Sequence, residues 1–160
     1  MAQFSTLRLS THTPHEWTLD DDFTFRCEWL PDGRVLRSWC DMGLDVARAD
    51  DGLTVIRVPG GTTTDLGSSP RALWWFCSPV DIAMASVVHD RMYGLICDAR
   101  RSGSPLGECV VRRREADDVF LMALYAQPAA WWPRAWAAWL SVRVFGWLSA
   151  YGLLSAAKWK

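Results

Sequence analysis

Phe23-Thr24-Phe25-Arg26-Cys27-Glu28-Trp29 sets an apolar side chain at every second position and a polar one between. A period of two marks a strand with one face on a core and the other toward water. Pro31-Asp32-Gly33 follows as a turn, because proline presets the first turn dihedral and glycine accepts a positive one. Val35 and Leu36 then open a partner strand that runs to about Trp39. Leu53 to Val58 reads as another strand, between Asp50-Asp51-Gly52 and Pro59-Gly60-Gly61. Connections this short leave no room for helical crossovers, so a sheet of three or four strands is expected to be antiparallel. Residues 1–22, ending in Asp20-Asp21-Asp22, read as an irregular arm or an edge element.

The pattern changes after residue 64. Ser78-Pro79-Val80-Asp81 has the form of a helix start: a serine cap, proline at the first helical position and a carboxylate in the first turn. This helix is expected to run from about Pro79 to Tyr93, with Gly94 as a candidate end. Residues 98–109 read as a loop. A second helix spans Arg112 to about Ala126, with Val119, Phe120, Met122, Ala123 and Leu124 on a broad apolar face. A third begins at Pro133 and runs toward residue 157, with Gly146 and Gly152 as candidate breaks. The expected fold is α+β: a small N-terminal antiparallel β-sheet packed on a C-terminal layer of three main helices, in a single domain over 1–160.

Composition narrows the function classes. The formal net charge is -1, which supplies no steering field for nucleic acid. Cys27, Cys40, Cys77, Cys97 and Cys109 are odd in number and scattered, which suits reduced thiols and neither a disulfide framework nor a zinc-thiolate site. The N-terminus lacks the basic and apolar stretches of an export signal, so no cleavable export signal is expected.

His89-Asp90-Arg91-Met92-Tyr93 is the first candidate site. His89 and Tyr93 lie four residues apart, one turn along a helix and on one face, and Asp90 is offset by about 100°. Imidazole titrates near neutrality and serves as base or ligand. If the second helix packs antiparallel to the first, Asp117 reaches His89 or Tyr93, fixes the imidazole tautomer and raises its basicity. Asp90 is then left for a cation, and hard oxygen donors favour calcium or magnesium over zinc. The plainer alternative is a buried histidine in a structural polar network. Arg112-Arg113-Arg114, read as a first turn, oppose the helix dipole and are expected to pair with the acidic residues at 115–118 or with a partner.

Thr64-Asp65-Leu66-Gly67-Ser68-Ser69-Pro70-Arg71 is the second. Asp65 can accept backbone N–H groups in a tight turn, and Ser68 and Ser69 are short donors for an anion or a helix start. Arg71 can clamp a carboxylate, from a substrate or from Asp90 or Asp117. A turn that merely braces the helical half is the alternative. There is no Gly-x-Ser-x-Gly elbow and no Walker lysine after Gly60-Gly61.

These stretches, in this order, resemble the DUF1353 family of small proteins of tailed bacteriophages and prophages. The carrying residues are Arg57-Val58-Pro59-Gly60-Gly61, then Thr64-Asp65 with Ser68 or Ser69, Pro70 and Arg71, then His89-Asp90 with Tyr93, then Arg113, Ala116, Asp117 and Phe120. Val142 to Gly146 is similar to the family's terminal helix, so the resemblance covers roughly 50–147. Leu66-Gly67 departs from the family's more frequent Leu-Ala. The resemblance implies a virion, lysis or host-interaction role and no defined activity. The His-Asp-x-x-Tyr helix followed by an aspartate-bearing helix also resembles the catalytic pair of secreted phospholipases A2. That likeness implies His89 as the base that activates water, Asp90 as a calcium ligand, and Tyr93 with Asp117 as supports. The flanking disulfides and calcium loop of those enzymes have no counterpart here.

Six of the eleven tryptophans fall after residue 130, and Ala135 to Ala157 carries one charge, Arg143. A packing helix, a protein–protein surface and a membrane segment all suit such a tail (130–160). Arg143 near its middle disfavours the last by about 2.5–3.5 kcal/mol. The leading expectation is a phage-encoded virion-associated or accessory protein with a metal-assisted hydrolytic site at His89, Asp90 and Asp117. The alternative is a purely structural head or tail component that joins other virion proteins, or its own copies, through the tryptophan-rich tail.

Overall fold

A computed structural model describes residues 2–13, 16–64, 82–127 and 132–150. The architecture is α+β, with two antiparallel sheets at the N-terminal end and a helical layer at the C-terminal end. Residues Gln3–Phe4 (β1), Phe23–Cys27 (β4), Thr54–Val58 (β6) and Asp45–Arg48 (β5) form a four-stranded sheet in the order β1-β4-β6-β5. Leu9–Thr13 (β2), Glu16–Leu19 (β3) and Thr63–Thr64 (β7) form a three-stranded sheet in that order. The alternation in β4 does what its period requires: Phe23, Phe25 and Cys27 are buried, and Phe25 pairs with Ile56 across to β6. Phe4 stacks on Phe23 and Phe25, with centroids 5.8 and 4.7 Å apart, so the first residues of the chain cover the sheet edge.

The strand expected over 35–39 is a helix, Gly33–Asp41 (α1). Asp32 is its cap: Oδ1 accepts the N–H groups of Arg34 at 2.8 Å and Val35 at 2.9 Å. Those bonds, from Val35 and Arg34, hold the Asp32 carboxyl below its ordinary value. Val35, Leu36 and Trp39 then fall on one helical face, and Trp39 is fully buried. Pro31-Asp32-Gly33 opens a helix instead of a hairpin because a capping carboxylate stands one residue before the glycine.

The helical layer consists of Ala83–Arg101 (α2), Leu106–Ala126 (α3) and Trp132–Ala150 (α4). Helix α2 continues through Gly94, because Leu95 and Ile96 maintain the buried face begun by Met92 and Tyr93. The loop expected over 98–109 shrinks to a turn at 102–105, with Gly103 at φ +97°. Helix α3 therefore starts six residues before Arg112, and the three arginines lie inside it, clear of the dipole's N-terminal end. Helix α4 starts one residue before Pro133 and runs through Gly146. Helices α2 and α3 lie over β6, β7 and β4, and α4 packs on α2 and α3. Cys27, Cys97 and Cys109 are buried and Cys40 is exposed, none of the four in a disulfide; burial pushes the Cys27 and Cys109 thiols up. Among the described residues no helix is long and apolar enough to cross a membrane. Cys77, the Ser78-Pro79 helix start and the tail beyond 150 lie outside the described residues.

Candidate functional site

The four-residue turn between α2 and α3 makes them an antiparallel hairpin, so residues equidistant from it face each other. His89 lies 12 residues before the end of α2, and Asp117 lies 11 residues after the start of α3. Asp117 occupies a core position, between Ala116 and Val119-Phe120, and is 0 % exposed. A carboxylate there is tolerated only when paired and hydrogen-bonded.

Three side chains meet it. Tyr93 donates its hydroxyl to Asp117 Oδ1 at 2.6 Å. His89 Nε2 stands 3.3 Å from the same oxygen. Arg143, from α4, donates Nη1 to Asp117 Oδ2 at 3.2 Å. Burial alone would raise the Asp117 carboxyl; the hydrogen bonds from His89 and Tyr93, the His89 charge and the Arg143 bond outweigh it and hold the group below its ordinary value of 3.8. Burial raises the neighbouring Asp118 carboxyl; Arg143 opposes that rise and the Asp117 charge adds to it.

An ionised carboxylate only accepts hydrogen bonds. Nε2 of a neutral His89 must therefore carry the ring proton, which leaves Nδ1 with its lone pair. Among the described residues no group hydrogen-bonds Nδ1. The ring is held by contact with Tyr93 at 4.0 Å and Phe120 at 4.6 Å between centroids, and His89 is 6 % exposed.

The lowered carboxyl fixes a pH dependence. A group whose folded pKa lies below its unfolded value contributes stability that is present above the unfolded pKa and is lost as pH falls through the folded one. The melting temperature of the protein is expected to fall below about pH 4, where Asp117 begins to protonate in the unfolded chain. An Asp117→Asn variant is expected to lack that part of the acid sensitivity. The check is a pair of melting curves across pH 2–6, and a gap between the two proteins that stays constant over this range would contradict the assignment.

Asp90, the next residue along α2, points elsewhere. It accepts the Thr64 hydroxyl through Oδ2 at 2.5 Å and lines a cleft of about 380 Å³. One wall of the cleft is the turn from Gly60 to Thr63; the other is the α2 face of Asp90, Arg91, Gly94 and Asp98. Among the described residues no group of three or more histidine, cysteine, aspartate or glutamate side chains could hold a metal. Asp90 with Thr64 is by itself a smaller donor set than calcium takes, which is 6–8 oxygens.

The structure thus brings together His89, Tyr93 and Asp117 and sets Asp90 apart. Arg113 does not join them: its Nη1 donates to the Arg143 carbonyl at 3.1 Å and so anchors α4. Arg112 pairs with Glu115 at 2.7 Å, and Glu115 also accepts Trp39 Nε1 at 2.7 Å. Asp65, Ser68, Ser69 and Arg71 lie outside the described residues. Two participants have no place in the sequence-based site. Arg143 is one, and a lone charge in an apolar helix was the signal for it, since such a charge requires a partner. Gly146 is the other: a Cβ there would stand 2.5 Å from the Tyr93 hydroxyl oxygen.

A family model for proteins of unknown function, DUF1353, matches residues 43–142, more than half of the chain. The chain belongs to the DUF1353 family. The matched span runs from just before β5 to α4 and contains the whole α2–α3 hairpin with His89, Asp90, Tyr93 and Asp117. It stops one residue short of Arg143. No curated protein and no solved structure matches this DUF1353 protein.

Proposed function

We propose that this DUF1353 protein is a phage-encoded accessory hydrolase whose general base is His89. The observation that supports the reading best is the buried Asp117 carboxylate, held by Tyr93 and Arg143 and turned to His89 Nε2. That arrangement keeps the proton on Nε2 and the lone pair on Nδ1. A water on Nδ1 loses its proton to the ring as its oxygen bonds to an ester or amide carbonyl carbon. The carbonyl π pair moves to oxygen. When the intermediate collapses, the carbonyl re-forms, the bond to the leaving group breaks, and the imidazolium returns its proton to that group. Asp117 stabilises the imidazolium throughout and stays ionised, as its lowered pKa allows.

Turnover of a panel of chromogenic esters and anilides tests this. His89→Gln is expected to lower turnover by about 100-fold or more while the protein stays folded by circular dichroism. Turnover untouched by that substitution, or none on any substrate, would contradict the reading.

One observation favours a second reading. Trp132, Trp136, Leu140 and Val144 recur every four residues along the outer side of α4, at 66, 46, 54 and 49 % exposure. A helix apolar on both sides is normally buried on both, and tryptophan is enriched at interface hot spots. This suits a virion component that joins its neighbours through α4. In that case His89→Gln changes stability and assembly, with no turnover to lose.

A further inference from the structure

The inner side of α4 is taken: Ala135 and Ala138 are buried, and Arg143 reaches Asp117. Its outer side is not. Among the described side chains of α4 the exposed ones are Trp132, Trp136, Ala137, Leu140 and Val144, and none is charged. Side chains four residues apart form a ridge on a helix surface, and Trp132, Trp136, Leu140 and Val144 are such a ridge. The row beside it, Pro133, Ala137 and Ser141, is made of small side chains and leaves a shallow groove. The Ser141 hydroxyl in that row is already used, since it donates to the Ala138 carbonyl at 2.6 Å. A helix face that carries both a ridge and a parallel groove is complementary to itself.

Shape, charge and area select the occupant. The ridge winds through about 120° from Trp132 to Val144, so a flat bilayer surface meets only part of it. A second helix crossing at about −50° meets it ridge into groove. Anionic headgroups find no free cation on the described part of α4: Arg143 is bonded to Asp117 and stands 3.9 Å from Asp118, and Arg134 is engaged too. Size falls along the ridge, from tryptophan to leucine and valine. A two-fold axis beside residue 138 would set Trp132 against Val144 of a second copy and Trp136 against Leu140, large against small, with no like charges facing each other. The ridge and Ala137 leave on the order of 500 Å² open to water. Two copies together cover about 1,000 Å², the least that a specific interface needs. We propose that α4 is the contact of a two-fold homodimer, with the ridge of each copy in the groove of the other. The proposal rests on the second reading, in which α4 joins neighbours, and names the partner; it is independent of the chemistry at His89.

Sedimentation velocity of the full chain across a micromolar concentration series measures the association. The expected result is a monomer–dimer equilibrium with no larger species. Leu140→Lys is expected to weaken it about 30-fold or more, because a charge enters the desolvated contact on both sides of the axis. Ala137→Leu fills the groove and is expected to weaken it as well. Both positions face water in the single chain, so the circular dichroism of each variant is expected to match the wild type. Leu140→Glu alone is expected to be monomeric, and an equal mixture of it with Leu140→Lys to regain a dimer. Growth past the dimer with concentration, or a monomer throughout, overturns the two-fold contact and leaves α4 open to a different virion protein. A dimer indifferent to both positions, or a monomer that binds anionic phospholipid vesicles through α4, overturns the contact and the second reading together.

Discussion

Asp117→Ala is expected to destabilise the protein by about 3–5 kcal/mol, which for a chain of this size is a fall of roughly 10 °C in melting temperature. The residue removed is fully enclosed, and three groups lose their contact with it at once: the Tyr93 hydroxyl, the His89 ring and the Arg143 guanidinium. Arg143 keeps longer contacts, to Asp118 at 3.9 Å and the Arg114 carbonyl at 3.4 Å, and a partly buried charge that loses its best partner costs more than the pair gained when intact. Thermal melting by circular dichroism reads the effect. Asp117→Asn keeps the volume and removes the charge, so it is expected to fall between the two. If both variants melt with the wild type, the carboxylate is not the point where α2, α3 and α4 are tied together.

Gly146→Ala is expected to destabilise by about 1–3 kcal/mol, against the usual gain of nearly 1 kcal/mol when alanine replaces glycine inside a helix. The sign is the test. A methyl group at 146 would stand 2.5 Å from the Tyr93 oxygen and 3.1 and 3.2 Å from ring carbons Cε1 and Cζ. Tyr93 has little freedom to retreat, since its hydroxyl is bonded to Asp117 and its ring lies on His89. Either α4 moves away, taking Arg143 with it, or Tyr93 leaves the carboxylate. Tyr93→Phe removes the closest of the three clashing atoms. In the double variant the cost of Gly146→Ala is therefore expected to shrink, with a coupling of about 0.5–3 kcal/mol. A stabilised Gly146→Ala protein, or strict additivity with Tyr93→Phe, would contradict the close approach of α4 to the site.

Both substitutions act where local sequence logic and tertiary packing meet, and this is also where the sequence was and was not legible. The strand at Phe23–Cys27 could be read because a period of two survives without knowledge of what covers it. The hairpin pairing of His89 with Asp117 could be read because four-residue spacing on one helix and a carboxylate on the next leave few alternatives. The helix at Gly33–Asp41 was misread as a strand because Val35, Leu36 and Trp39 are too few to separate the two periods. The deciding element was the side chain of Asp32 bonding forward to two N–H groups. Gly94 and Gly146 read only as candidate helix ends, because glycine is a poor helix former. Burial of Leu95 and Ile96 carries α2 past the first, and the nearness of Tyr93 gives the second a packing reason. Arg143 could be found as an anomaly, but its partner lies 26 residues earlier on another helix, a distance no local rule spans.

Asp117, accepting from His89 Nε2, is expected to fix the neutral ring with its proton on Nε2 and its lone pair on Nδ1. Long-range ¹⁵N–¹H spectra of the imidazole rings measure this directly. Neutral His89 is expected to show a protonated Nε2 and an unprotonated Nδ1, with that preference lost in Asp117→Asn. A ring carrying its proton on Nδ1, or one whose tautomer ignores the substitution at 117, would contradict it.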